Sequence, residues 1–361
     1  MGYANLTGIS SVPEPTTGDY LVRFIDDEGT IYTQYVDAGN DAILPTLVDR
    51  DLLTFVGCNV DYTNIQQDTD VGLIYKTTDD KTYLFMSITR ITGKTPSITL
   101  NKATTDLMIV TWGDGETATT SASGIVTLSK VNDYTIGYYQ VSIECVGNYR
   151  LSSYVFGNNV NYNSCLTKCY LSNNILSLDF NAFSTCYSLV SIVLPNSILS
   201  IRTSTFGTCY SLIIVVVPNS VIFIGLRAFY QCYSLALIIG VSAVESIGDR
   251  AFYECCSLTS TGSLASTTLL DVAAFARCYA LPLVVVPDSM LSVGSYAFLN
   301  CYALVSYHFE STTPPTLVNI NAFTGINKIA RIYVPDASVT AYKTATNWIT
   351  YAEYIYPESE M

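Results

Sequence analysis

Charge is scarce in this chain. Only 13% of its 361 residues are Asp, Glu, Lys or Arg, and 17 basic residues against 30 acidic ones leave a formal charge of −13. That balance excludes nucleic acid as an expected partner, because neutralising phosphates takes clustered Lys and Arg. Long apolar runs are missing as well. None approaches the ~18–20 residues of a membrane span, although 49% of the residues are hydrophobic, so no membrane insertion is expected. Histidine is reduced to His308. Without a second imidazole or a paired nucleophile it makes no catalytic triad, and the strand-like phrase YHF around His308 points to an outward surface position. The opening MGYANLTGISSVPEPTTGDY has neither the basic start nor the apolar stretch of a signal peptide. Leu6 stands where myristoylation needs Ser or Thr, and the closing YPESEM carries no anchor or sorting pattern. These ends suggest a protein made and used without secretion, or one whose signal has been trimmed.

What is present is tyrosine, 28 copies of it, and short apolar runs broken by Pro, Asn, Ser and Gly. Such punctuation reads as many short strands. The stretch CYSL occurs at 186–189, 209–212 and 232–235, with CCSL at 255–258 and CYAL at 278–281 and 301–304. Every step is 23 residues. Phe183, Phe206, Phe229, Phe252, Phe275 and Phe298 keep the same step, as do Leu178, Ile201, Ile224, Ile247, Leu270 and Val293, and Leu189 through Leu304. A unit this short cannot bury its own apolar face, but stacked copies can, which predicts a solenoid. In LVSIVLPNS (189–197), Leu189, Ile192 and Leu194 point inward, Pro195 ends the strand, and Asn196-Ser197 turn the chain.

The unit resembles the BspA-like (Treponema-type) leucine-rich repeat over about residues 165–310. The segment 313–355, with Phe323, Tyr333-Val-Pro335, Tyr342-Lys343 and Trp348, is similar to that family's closing cap. The first 150 residues lack the repeat. LVRFIDDEGTIYTQYVDAGNDAILP (21–45), TFVGCN (54–59) and VGLIYKTT (71–78) resemble the β-grasp-like B repeat of internalin-type surface proteins, with Cys58 where a Trp is usual. IVTWGDGETATT (109–120) and YTIGYYQVSI (134–143) resemble a PKD-type β-sandwich, in which Trp112 is the core aromatic, Gly113-Asp114-Gly115 a hairpin turn and Gly137–Val141 a strand. The expected fold is mainly β. An arm (1–17) leads into a β-grasp-like domain (18–80), a PKD-like sandwich (81–150), a leucine-rich-repeat solenoid (151–312) and a cap (313–361).

No catalytic constellation, cofactor motif or metal site is read from the sequence. Zinc needs converging close pairs, and the near pairs Cys165/Cys169 and Cys255/Cys256 have no His beside them. A core column accounts for six of the 11 cysteines, which are expected to be free thiols because side chains stacked in parallel seldom offer the disulfide torsion. Asp26-Asp27, Asp68/Asp70 and Asp79-Asp80 carry oxygens that calcium takes, yet none lies in an EF-hand loop, and surface turns are their expected role.

Two ladders are candidate binding features. Tyr187, Tyr210, Tyr233, Tyr279 and Tyr302 follow the column cysteines, interrupted by Cys256. A stacked row of this kind serves carbohydrate or protein contact, or only stacking between turns, and the sequence favours neither. The second is apolar: Val190, Val193, Ile213, Ile214, Val216, Leu237, Ile239, Leu283 and Val285 occupy outward strand positions. Left bare, they would form an unusually large apolar strip, so a partner, another copy or a neighbouring domain is expected to cover them. Strand propensity alone is the competing account. The resemblances imply a non-enzymatic structural or adhesive protein. Without an export signal, a bacteriophage virion component is the expected setting: a head or tail fibre or a decoration protein. It would dock by its N-terminal region and present the repeats to other virion proteins, to copies of itself, or to a host cell-surface glycan or protein. Free thiols suit assembly in a reducing cytoplasm. The alternative is a secreted BspA-like adhesin at the bacterial cell surface.

Overall fold

The computed structural model describes residues 19–47, 50–59, 61–89, 96–132, 134–154, 156 and 163–361. The arm expected at 1–17 lies outside the described residues. β1 (Asp19–Ile25) and β2 (Ile31–Asp37) form an antiparallel hairpin. Asp26 closes its turn, one carboxylate oxygen accepting the backbone N–H groups of Glu28 at 2.9 Å and Thr30 at 2.8 Å. With β3 (Leu53–Cys58) and β4 (Thr69–Thr77) the sheet order is β2-β1-β4-β3, and the two central strands run parallel. Alternation puts Val22, Phe24, Val71, Leu73 and Tyr75 of this β-grasp-like module into one small buried cluster, which Tyr83, Tyr170 and Val193 from later in the chain complete.

The next strands are β5 (Thr82–Ile88), β6 (Ser97–Lys102), β7 (Met108–Thr111), β8 (Thr117–Thr120), β9 (Gly124–Ser129), β10 (Gly137–Cys145) and β11 (Tyr149–Leu151). They make a sandwich, with β5, β10, β7 and β8 in one sheet and β11, β6 and β9 in the other. Trp112 is fully buried between them, and the Gly113-Asp114-Gly115 stretch turns β7 into β8.

Both sandwich sheets continue into the solenoid. β12 (Leu166–Tyr170) pairs antiparallel with β5 and parallel with β14 (Ser191–Val193), while β13 (Ile175–Leu178) pairs parallel with β11. A single buried cluster runs from Leu84 in the sandwich to Ile355 near the C-terminus. The first solenoid turn therefore has no open end on the N-terminal side, because the sandwich is its cap.

About 9 turns follow one another. One face carries the longer strands, among them Ile214–Val216, Leu237–Ile239, Leu283–Val286, Ser306–Phe309, Arg331–Val334 and Ile355–Pro357. The other is a continuous ladder of two-residue strands from Ser200–Ile201 to Thr316–Leu317. Between the faces runs a stack of buried phenylalanines, Phe183 to Phe298 and on to Phe323, with ring centroids 5.0–5.9 Å apart. Burying each ring is worth about 2–3 kcal/mol, and the regular spacing follows the rise of the sheets. At the far end helix α1 (Val339–Thr344) and the segment after it close the stack. Tyr342, Trp348 and Tyr351 pack edge-on or tilted against Phe309 and Phe323. Trp348 donates its indole N–H to the Pro315 carbonyl at 2.8 Å, and Tyr342 its hydroxyl to that of Ser311 at 2.9 Å.

Candidate functional site

The tyrosine row is built by a repeated backbone device. Thr185, Thr208, Gln231, Glu254, Arg277 and Asn300 all hold the left-handed conformation, with φ between 56 and 65°. After the first three, the N–H two residues on returns to their own carbonyl, as from Tyr187 to Thr185 at 2.8 Å and from Tyr210 to Thr208 at 2.9 Å. This tight bend drops each cysteine into the core and turns the following side chain outward. Tyr187, Tyr210 and Tyr233 stack with centroids 4.8 and 5.0 Å apart. Tyr279 and Tyr302 stack at 5.6 Å with planes 2° apart, and Cys256 divides the two groups. Tyr210, covered on both ring faces, is still 36% exposed, and Tyr302 at the end of the row is 57% exposed. Partial burial and neighbouring phenols raise the Tyr210 hydroxyl above the usual tyrosine range, and partial burial with Glu254 does the same for Tyr233. Burial likewise raises Tyr279, against the lowering pull of Arg277. These hydroxyls stay protonated at neutral pH.

A second column, not singled out from the sequence, lies beside the first. Tyr230 and Tyr253 stack at 5.3 Å, with the Arg227 guanidinium over Tyr230 at 5.5 Å and that of Arg277 over Tyr253 at 5.4 Å. Their separation of 23 was the available signal, but two copies make a faint column. Beside the interruption at Cys256, Gln231 donates to Glu254 at 2.8 Å and Arg277 donates to the other Glu254 oxygen at 2.6 Å. The aromatic edge thus carries a short polar chain where its ring is missing.

The nine outward apolar positions are not covered alike: a neighbouring part of the chain, one of the expected covers, lies over some of them and leaves others exposed. Val193, Ile214, Val216 and Ile239 are only 3–7% exposed. The chain's own N-terminal module covers them: Val193 joins that module's core, and Ile214 and Ile239 cluster with Ile25, with Ile31 and half-buried Leu237 packed alongside. Val190, Ile213, Leu283 and Val285 remain exposed. Two glycines permit the close approach. A Cβ on Gly72 would sit 2.8 Å from the Val216 side chain, and one on Gly240 would collide with Asn59 of the module. Only a shallow pocket remains between the two surfaces, lined by Leu73, Tyr75, Val193, Val216 and Pro218. One corner of the contact is ionic. Arg50 donates to Asp27 at 2.6 Å, Ser191 donates to the same carboxylate at 2.8 Å, and Lys168 reaches Glu28 at 2.6 Å. The opposite face of the solenoid also shows large apolar side chains, Leu199, Ile222, Phe223 and Leu291 among them, which the sequence reading passed over.

No disulfide links any of the 11 cysteines. The column cysteines are more than apolar filler. Cys209, Cys232, Cys255, Cys278 and Cys301 donate their thiols to the carbonyls of Phe183, Phe206, Phe229, Phe252 and Phe275 at 3.1–3.3 Å, tying each turn to the previous one. The acidic pairs are spent on the protein. Asp70 binds Arg23, Asp68 accepts the Leu21 N–H, and Asp79 accepts the Tyr83 hydroxyl. Among the described residues no three His, Cys, Asp or Glu side chains gather as a metal site would require. His308 faces outward on the long-strand face, 3.2 Å from Glu358.

The described helices include none long and apolar enough to cross a membrane. No curated protein matches the chain. Among solved structures, a Treponema pallidum leucine-rich repeat protein is 27% identical, covering 39% of this chain and 68% of that one, with a TM-score of 0.31. A Bacteroides ovatus leucine-rich repeat protein is 17% identical over 63% of this chain and 70% of its own, with a TM-score of 0.38. A leucine-rich cell surface protein of Faecalibacterium prausnitzii is 17% identical over 60% and 84%, with a TM-score of 0.33. The model of the BspA type leucine-rich repeat region matches residues 154–282 and 268–356, together more than half of the 361 residues. With its 23-residue rungs, phenylalanine spine and thiol ladder, the chain belongs to the BspA-type leucine-rich repeat family.

Proposed function

We propose that this protein is a non-enzymatic surface module, structural or adhesive, in which the sandwich and N-terminal module brace a rigid solenoid that meets its ligand along the tyrosine edge. The observation that carries the reading is the exposed row itself. Rings 4.8–5.6 Å apart stand outside the core, and the phenylalanine spine already holds the turns together without them. An exposed aromatic surface on a stiff scaffold suits recognition more than catalysis. Family membership and the name of the Faecalibacterium protein support display at a cell surface. Eleven cysteines without a disulfide support a chain assembled in a reducing compartment, as a phage head or tail fibre or decoration protein is.

Two measurements test this. Labelled protein is incubated with candidate host cells, and binding is compared with a Tyr210→Ala/Tyr233→Ala variant. The expected outcome is saturable binding that the variant loses, and undiminished binding by the variant would remove the tyrosine edge from the reading. The genes flanking the coding sequence then separate the settings. Capsid, portal or tail genes support the virion, whereas an export signal in the native gene assigns the protein to the cell surface.

A further inference from the structure

Within each group the rings stack face to face, so Tyr210 has both faces covered by its neighbours and the other four have one each. What the row offers outward is ring edges and phenol hydroxyls, and among the described residues those hydroxyls enter no hydrogen bond. Stacking a flat ligand on Tyr210 is thereby excluded, while hydrogen bonding along the whole row is open. The hydroxyls recur at the spacing of the rungs. From Tyr187 to Tyr302 there are five steps of about 5 Å, a row about 25 Å long.

A ligand that engages several rungs must repeat at that period. An extended polypeptide presents same-face groups every ~6.7 Å, twice its rise per residue, and drifts a whole rung out of register within about three repeats. A polyanion, nucleic acid included, is repelled by a chain with formal charge −13. An extended β-1,4-linked chain of neutral sugars advances by close to one strand spacing per ring, and although successive rings are turned over, its two-ring repeat stays in register with every second rung. It also presents hydroxyls along its edge, which suit phenol hydroxyls and the polar chain of Gln231, Glu254 and Arg277 at the interruption. We propose that the tyrosine row docks an extended, neutral, β-1,4-linked polysaccharide lying along the solenoid axis, with about one sugar ring per rung. The proposal rests on the adhesive reading above and names the class of its ligand.

Calorimetric titration of the full chain with cellobiose, cellotetraose and cellohexaose tests it, with maltohexaose as the control. Maltohexaose has the same sugar and length, but its α-linkages curl the chain out of register. Affinity is expected to rise about 30-fold or more from the two-unit to the six-unit ligand, and maltohexaose is expected to bind at least about tenfold more weakly than cellohexaose. Tyr210→Phe, which keeps the ring and removes one hydroxyl, is expected to weaken cellohexaose about 3- to 10-fold with an unchanged melting temperature. Affinity independent of chain length, equal binding of maltohexaose, or no saturable binding of cellohexaose at millimolar concentration each overturns the proposal. The cell-binding measurement runs alongside. Cell binding lost with the row but without oligosaccharide binding sinks the polysaccharide and leaves the adhesive reading standing.

Discussion

Each column cysteine from Cys209 to Cys301 occupies a position where a small side chain must fill space and bond to a carbonyl one turn away. Its thiol does both, and burial pushes it well away from ionisation, Cys301 up to about 12. Alkylation needs the thiolate. In the folded protein at pH 8, iodoacetamide is therefore expected to reach no cysteines beyond the half-buried Cys58, Cys165 and Cys256, and all 11 after denaturation. Mass spectrometry of the modified peptides reads this directly, and rapid labelling of Cys232 would contradict the packed column. Thr185 is a residue in the wrong place by the same local standard. It is β-branched at φ 65°, and its hydroxyl is buried with no partner among the described residues. Glycine removes both penalties at the cost of some unfolded-state entropy, so Thr185→Gly is expected to stabilise the chain by about 1 kcal/mol in urea unfolding.

At the scale of the repeated unit, the interruption at Cys256 is the one break in a column of six. A tyrosine there would stand between Tyr233 and Tyr279 at the spacing the phenylalanine spine keeps over the same two steps, 5.2 and 5.0 Å. Cys256→Tyr is expected to add two offset stacks and about 1 kcal/mol of stability, seen as a raised melting temperature. A lowered one would mean that Glu254 and Arg277 need the space. The columns were legible in the sequence because every unit repeats the same contacts 23 residues on, so Phe183, Cys209 and Tyr210 announce their places by period alone. The cover over Val193, Ile214, Val216 and Ile239 was not legible. It joins Glu28 to Lys168 and Asp27 to Ser191, 140 and 164 residues apart, through a module with no repeat to set a register. The apolar surplus on those strands signalled a cover without saying that the chain supplies it.

For the whole molecule, the shared core means that sandwich and solenoid should unfold as one cooperative unit, while the N-terminal module builds most of its small core from its own strands and can separate. Arg50 braces the joint from inside the module: it holds Asp27 and Glu28, which take Ser191 and Lys168 of the solenoid, and it reaches across itself only to the Tyr170 ring, 6.0 Å away. It pairs with Asp27, which is 3% exposed, and its guanidinium lies 4.6 Å from the Tyr75 ring centre. Removing it leaves a buried carboxylate without its cation, a cost of about 3–5 kcal/mol. Arg50→Ala is therefore expected to release the module and bare the four covered side chains. Hydrogen exchange should then rise in β14 and the Ile214–Val216 and Leu237–Ile239 strands, and an apolar dye should bind, while the main unfolding transition keeps its midpoint. Acid should do the same to the wild type. Burial pushes the Glu28 carboxyl up, but the Lys168 hydrogen bond and the charges of Arg50 and Lys168 outweigh it and hold Glu28 below its ordinary 4.5. A carboxylate depressed in the folded state contributes stability above its unfolded value and loses it as pH falls through the folded one, so docking weakens below about 4.5. Asp26 is pushed up chiefly by burial, against the lowering pull of the Thr30 N–H that its carboxylate accepts. Dye binding that begins above pH 5, or an Arg50→Ala chain that stays closed, would show that the apolar contact around Ile25, Ile214 and Ile239 holds the module without its ionic corner.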